Sequence, residues 1–209
     1  MGSPGKASGI ILIFALITTL AIAEYLSPKT IIPNVSAIAT PGSIGVYWDK
    51  ACTRKVPSIG WGVLSPSQSK KVTVYARNEG NTSSFLTLRH TNWNPKNAST
   101  FLTFGWLSEA ERLATTEVVK VTLSLYVSTA TRGITTFSFD IIFEGSKYAP
   151  WDVNQDNKVD LLDFFTVSSL YGSVAGSTNW NPKADTNRDG KIDLADYFAV
   201  TRHYGDQYT

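Results

Sequence analysis

The sequence is poor in the residues that build disulfides and most metal centres. It has one cysteine, Cys52, and two histidines, His90 and His203, among 209 residues. A single cysteine excludes an intramolecular disulfide and any zinc site made of several cysteines. An excess of one charge is also missing, because 19 Lys and Arg stand against 17 Asp and Glu, for a net charge of +2. This balance does not indicate binding to nucleic acid or to an anionic membrane surface.

Motifs for catalysis are absent too. There is no glycine-rich phosphate loop, no nucleophile elbow and no HExxH zinc motif. The acidic residues before residue 150 are scattered, and no two of them suggest an acid–base pair. His90 is expected in a loop or at a strand end, and His203 on the surface of the last helix. The sequence therefore predicts no enzyme and no catalytic residue.

The longest apolar run lies at the N-terminus. Residues 10–23 carry no charge, and the run is shorter than the roughly 20 residues that span a bilayer. Its length and its Ala21-Ile22-Ala23 ending are typical of a signal peptide, which predicts cleavage after Ala23 and a secreted or cell-surface protein. Two alternatives remain: the uncleaved segment acts as an anchor, the one expected route to a membrane, or as a prepilin-like helix.

Most of the remaining chain has the sequence pattern of short strands joined by turns. A hydrophobic content of 43% supports a packed core, and apolar residues alternate with polar ones at residues 72–76, 119–125 and 137–143. About seven such strands predict an immunoglobulin-like antiparallel β-sandwich. The expected division is a signal peptide at 1–23, a proline-rich linker at 24–42, the sandwich at 43–146 and a calcium-binding domain at 147–209.

Four of the six tryptophans fall in the predicted sandwich. Two interpretations stay open for them: they fill the core, or they form a platform on which carbohydrate stacks. Carbohydrate at the sandwich is therefore one candidate ligand. The four are Trp48, Trp61, Trp93 and Trp106.

The strongest motif is a repeated loop near the C-terminus. Both copies place oxygen-bearing side chains at positions 1, 3, 5, 9 and 12, as a calcium loop requires, and position 7 contributes its backbone carbonyl. This spacing predicts two Ca²⁺ ions. The predicted ligands are Asp152, Asn154, Asp156, Lys158, Asp160 and Asp163 in the first loop, and Asp185, Asn187, Asp189, Lys191, Asp193 and Asp196 in the second.

Two further positions make structural predictions. Position 6 needs a positive φ, which Gly190 adopts freely and Asn157 tolerates. Position 8 is apolar in both loops, as Val159 and Ile192, and we expect these residues to pair the two loops through a short β contact.

Each loop is followed by an apolar helical segment, over residues 161–170 and 194–204, but Pro150 and Pro182 argue against a helix before it. A pair of loop–helix units without entering helices resembles a dockerin module. The resemblance implies a non-catalytic module that docks onto a cohesin-like or other surface protein. It implies that loop positions 10 and 11 are prominent in recognition, which here are Leu161, Leu162, Leu194 and Ala195.

Three functions compete on this basis. The leading hypothesis is an exported calcium-binding adaptor that docks at the cell surface. The second is a structural or adhesive surface component in which calcium only staples the C-terminal module to the sandwich, which the short link over residues 145–151 favours. The third is an accessory part of a polysaccharide-degrading system.

Overall fold

The computed structural model describes residues 31–40 and 42–208. The predicted signal peptide and the first part of the predicted linker lie outside these residues. Within them, no helix has the length and apolarity of a membrane span.

The described chain folds into nine strands and two α-helices. The strands are β1 (Ile31–Ala39), β2 (Ile44–Tyr47), β3 (Ser58–Leu64), β4 (Ser69–Asn78), β5 (Ser84–Asn94), β6 (Leu102–Ser108), β7 (Arg112–Leu113), β8 (Val118–Val127) and β9 (Ser138–Ser146). The α-helices are α1 (Leu161–Ser169) and α2 (Leu194–Arg202), and a 3₁₀ helix spans Lys96–Thr100.

The strands form two sheets, as the sequence predicts for a sandwich. One sheet has the order β3-β1-β9-β5-β7 and the other β2-β4-β8-β6. All pairings are antiparallel except β1 with β9, which is parallel. The expectation of a wholly antiparallel sandwich is corrected at this one pairing.

Residues 31–39 were placed in the linker by the sequence, and this part of the prediction is wrong. They form β1, which lies between β3 and β9. Pro33 lacks an N–H group and argues against a central strand. The structure accommodates it where the pairing with β3 is irregular, between Ile31 and Asn34, and before the regular pairing with β9 begins at Val35.

The sandwich core follows from the alternation along the strands. On β8, the apolar side chains from Val119 to Val127 that point inward are buried, while the residues between them are more exposed. Trp61 is fully buried, its indole N–H donates to Ser36 Oγ at 2.8 Å, and its ring stacks on Phe139. Each fully buried large apolar side chain contributes about 1.5–3 kcal/mol, which makes this face of each sheet the main source of stability.

The tryptophans do not form one exposed platform. Trp61 lies inside the core, and Trp48, Trp93 and Trp106 are partly buried against it. One face of Trp93 stacks on Phe139, with ring centroids 4.0 Å apart. These contacts agree with the interpretation that the four tryptophans fill the core of the sandwich.

Candidate functional site

Both helices begin at an aspartate that also belongs to a predicted calcium loop. Asp160 and Asp193 are the N-caps, and their Oδ1 atoms accept the N–H groups of Leu162 and Ala195 at 2.8 Å. The aspartate three residues later reaches back to the N-cap N–H at 2.9 Å in each repeat. These two capping boxes stabilise the helix starts and fix loop positions 9 and 12 with respect to each other.

The other predicted ligands are gathered by the N–H groups of their own loop. In the first loop, Asp152 accepts from the N–H of Asp156 at 3.1 Å and of Asn157 at 2.9 Å. In the second loop, Asp185 accepts from Asp189 and Gly190 at the same two distances. Repetition of the bonds at equal lengths shows that the two loops adopt one geometry.

Positions 3, 5 and 12 repeat this arrangement. The amide oxygen at position 3 accepts the N–H of position 5, and the carboxylate of position 5 accepts the N–H of position 7. The position 12 carboxylate accepts the N–H of position 3, at 3.0 Å in the first loop and 3.2 Å in the second. Loop closure therefore brings position 12 back to the start of the loop.

Positive φ at position 6 is confirmed, at 69° for Asn157 and 90° for Gly190. Position 4 also has a positive φ in both loops, at Gln155 (65°) and Arg188 (60°), which the sequence analysis did not predict. Gln and Arg do not favour a positive φ, so the residue types at position 4 gave no reason to predict it.

The burial of the carboxylates tests whether these loops fit a cation. Asp152, Asp163, Asp185 and Asp196 are all buried, and none of them forms an ion pair with a Lys, Arg or His of the described residues. Buried charges require a partner or a metal ion. A hard cation that takes only oxygen ligands fits this donor set of carboxylates, an amide and a backbone carbonyl.

The pKa values of the buried aspartates also favour a bound cation. Burial raises the pKa of Asp152, Asp185 and Asp196, and that of Asp185 reaches about 6, with the carboxylates of Asp196 and Asp189 raising it further.

Within the described residues, no group of three or more His, Cys, Asp or Glu side chains is drawn together as around a bound ion. The carboxylates instead accept loop N–H groups, and two of the expected ligands in each loop are an amide and a backbone oxygen.

The predicted pairing between the two loops is wrong. Each position 8 residue pairs instead with the segment that follows the other repeat's helix. Val159 exchanges backbone hydrogen bonds with Gly205 and Asp206, and Ile192 does so with Gly172 and Ser173. The crossing is possible because Phe164 and Tyr197 pack α1 against α2, with ring centroids 4.7 Å apart, and bring each loop to the opposite helix end.

The four predicted recognition residues lie on the surface of the helices. Leu161, Leu162, Leu194 and Ala195 are all exposed. Two residues that the sequence analysis did not select, Phe165 and Phe198, extend the same apolar surface one turn further. We call these six residues the helix face; its five large members are between 53% (Leu161) and 61% (Phe198) exposed. The matched spacing of Phe165 and Phe198 in the two repeats was the signal that could have revealed them.

The module also packs against the sandwich, through residues that the sequence did not predict. Phe85 of β5 belongs to the apolar cluster of the module, where its ring meets Trp151 and Tyr208 edge-on. His203, expected on the surface, stacks on Trp151 at a centroid distance of 3.5 Å, with only 13% of its side chain exposed. The Trp151 indole N–H donates to the Tyr208 hydroxyl at 2.6 Å, which closes the cluster.

The described residues border two clefts between the module and the sandwich. The larger, of about 410 Å³, has a mixed polar and apolar lining and is bordered by both loops, Arg89 and His90. The smaller, of about 240 Å³, is bordered by Trp106, Leu107 and Trp151. Burial lowers the pKa of His90, whose Nδ1 accepts the indole N–H of Trp93 at 2.9 Å.

Fold and site together define a β-sandwich that carries a C-terminal pair of loop–helix repeats suited to calcium. Residues 150–203 match the family model of the dockerin type I domain, so the chain carries a dockerin module C-terminal to a β-rich region. Dockerin domains bind calcium, dock onto other proteins and are not catalytic.

Other comparisons add little. No curated protein matches the chain. A mutant of a type II cohesin–X-dockerin complex from Acetivibrio cellulolyticus is 13% identical with a TM-score of 0.27, over 84% of this chain and 97% of that one. A PapD-like domain of human CEP192 is 7% identical with a TM-score of 0.22, over 69% of this chain and 97% of that one. Neither likeness carries an argument about this chain.

Proposed function

We propose that this chain is an exported, non-catalytic calcium-binding protein whose dockerin module docks onto a cohesin-like or other protein at the cell surface. The observation that carries the proposal is the helix face, which presents large apolar side chains at matched positions of both repeats. Exposed apolar surface of this kind marks protein interaction sites. The predicted signal peptide supports export.

Two calcium ions would be held, one in each loop. In the first loop, Asp152, Asn154, Asp156, Asp163 and the carbonyl of Lys158 would contact the ion, with Asp160 acting through water. In the second, Asp185, Asn187, Asp189, Asp196 and the carbonyl of Lys191 would do so, with Asp193 in the water-linked position. Bound calcium would supply the positive charge that the buried carboxylates lack.

A partner for this surface would present an apolar patch of its own. The helix face has no charged side chain, since the acidic residues of both helix starts, Asp163 and Asp196, turn inward to their loops. Matched positions on α1 and α2 would allow the partner to bind in two orientations related by the repeat.

The test is capture of surface proteins on the immobilised full chain, with calcium and with chelator. Because two orientations are allowed, the decisive variant is the double substitution Phe165→Asp with Phe198→Asp. Val63→Asp is the matched control, since Val63 is an exposed apolar residue of the sandwich, at 57% exposure. We expect one protein that is captured only with calcium, lost with the double variant and kept by the control. Capture that the double variant leaves unchanged would contradict docking through the helix face.

A structural role is the second candidate, and the burial of Phe85 among module residues favours it. In that role calcium would hold the module on the sandwich, and no partner would be needed. Calcium-dependent stabilisation of the full chain without capture of any protein would support this candidate over docking.

A further inference from the structure

One carboxylate of the sandwich ties the second calcium loop to the sheet. Glu144 lies on β9, and its Oε1 accepts from Nε and Nη2 of Arg89 on β5 at 3.2 and 3.1 Å. Its Oε2 accepts from Nη1 of Arg188, which is position 4 of the second loop. One acidic side chain therefore holds two guanidinium groups, one from each part of the molecule.

This cluster is partly sheltered from solvent. The side chains of Glu144, Arg188 and Arg89 are 25%, 30% and 40% exposed. Charge-assisted hydrogen bonds in such a setting contribute more than ion pairs on an open surface. The pair Glu144–Arg188 is thus a specific contact between the sandwich and the loop.

The position of Arg188 in the second loop allows its charge to affect cation binding there. It lies between the ligand positions Asn187 and Asp189. While Glu144 holds its guanidinium, the positive charge of Arg188 is paired with that carboxylate. Without Glu144, the tethered guanidinium would compete with a dication for the loop oxygens, and Arg89 would add a second uncompensated positive charge.

Among the described residues, the first loop has no such link to the sandwich. Its position 4 is Gln155, which is neutral, and the Gln155 Oε1 accepts from Lys183 Nζ at 3.0 Å within the module itself. The two loops share their geometry but differ at this residue. The first loop therefore serves as an internal control for the second.

We propose that Glu144 is a positioning residue of the second calcium site: by holding Arg188 it strengthens calcium binding in that loop, and calcium there strengthens the contact between module and sandwich. The two effects are reciprocal, because coupling between two binding equilibria acts equally in both directions. The inference rests on calcium binding by the loops, as proposed above, and not on any docking partner.

The experiment measures calcium binding by each loop separately in the full chain. In ¹H–¹⁵N spectra, the amide of Gly190 reports the second loop and that of Asn157 the first, since each donates to the position 1 aspartate of its own loop. Calcium is titrated into the wild type, Glu144→Gln, Arg188→Gln and the double variant. Glu109→Gln is the matched control, because Glu109 pairs with Lys120 at an exposed site of the sandwich.

We expect Glu144→Gln to weaken calcium binding at Gly190 on the order of 10-fold, within the usual range of coupling between sites, and to leave Asn157 unchanged. Arg188→Gln alone should not weaken it, and the double variant should recover most of the loss, because the competing guanidinium is gone. Recovery by a second substitution is a result that mere destabilisation by Glu144→Gln would not produce.

Two results overturn the inference alone: an unchanged calcium affinity at Gly190 in Glu144→Gln, or an equal loss at both loops. A wild-type chain in which neither amide responds to calcium overturns the proposed function together with the inference.

Arg188→Gln offers a second check, because it should make the link at Lys147 more sensitive to trypsin while calcium binding persists. Unchanged sensitivity at Lys147 would also count against the coupling.

Discussion

Substitution of Phe85 by alanine should separate the module from the sandwich. The ring is 2% exposed, yet its aromatic neighbours, Trp151 and Tyr208, belong to the module, at centroid distances of 6.2 and 4.9 Å. Burial of the ring contributes about 1.5–3 kcal/mol, and each edge-on aromatic pair adds about 0.5–1.5 kcal/mol. Together these contributions come to about 2.5–6 kcal/mol, a range that includes the roughly 3–5 kcal/mol typical of Phe→Ala in protein cores. Since the ring lies between the two parts, most of this loss falls on their contact.

Calorimetry of the full chain in excess calcium tests this prediction. We expect the sandwich and the module to unfold more nearly together in the wild type, and the module to unfold earlier and separately in Phe85→Ala. Trypsin cleavage after Lys147, which is exposed, should become faster. Phe143→Ala is the matched control, because Phe143 is fully buried in the sandwich core and should destabilise that part without releasing the module. A change below about 1 kcal/mol in Phe85→Ala, with unchanged cleavage, would refute the reasoning.

Two further predictions concern calcium and pH. Removal of calcium with a chelator should reduce helical circular dichroism and lower the melting temperature of the module, because a loop loaded at 100-fold excess over its Kd gains about 2.7 kcal/mol; an unchanged melting curve would contradict this. Burial lowers the pKa of His90, so its contribution to stability is present above the unfolded pKa of about 6.5 and is lost as the pH falls below it. Protonation also removes the acceptor of the Trp93 indole N–H, and His90→Gln should flatten the fall in melting temperature between pH 7.5 and pH 5.5. An equally steep fall in the variant would assign the effect to other groups.

The sandwich strands could be predicted where one face meets solvent. Period-two alternation revealed β8 because its outward residues are polar. It failed for β1, where Pro33 and the lack of a clear pattern indicated a linker. It also failed for β7, since two residues are too few to show any period. Pairing with distant strands, and not local preference, decides both of these elements.

The calcium loops could be proposed from the sequence because their predicted ligands lie within twelve consecutive residues. The contact with the sandwich could not, because its members are far apart in the sequence. One signal was present nevertheless: consecutive apolar residues, Phe85-Leu86 on β5 and Ile141-Ile142 on β9, interrupt the alternation of apolar and polar residues along each strand. Such runs indicate strands that are covered on both sides. Phe85 and Leu86 are indeed both buried.

The crossed pairing of the repeats links the calcium loops to the helix face. Val159 of the first loop is held by residues that follow α2, and Ile192 of the second loop by residues that follow α1. Neither loop–helix unit is therefore complete without the other, and loss of order in one loop removes backbone hydrogen bonds from the end of the opposite helix. Because Phe164 and Tyr197 also join the two helices, the spacing of Phe165 and Phe198 depends on both loops at once. A partner that contacts both helices would consequently respond to the calcium state of both loops and not of one alone.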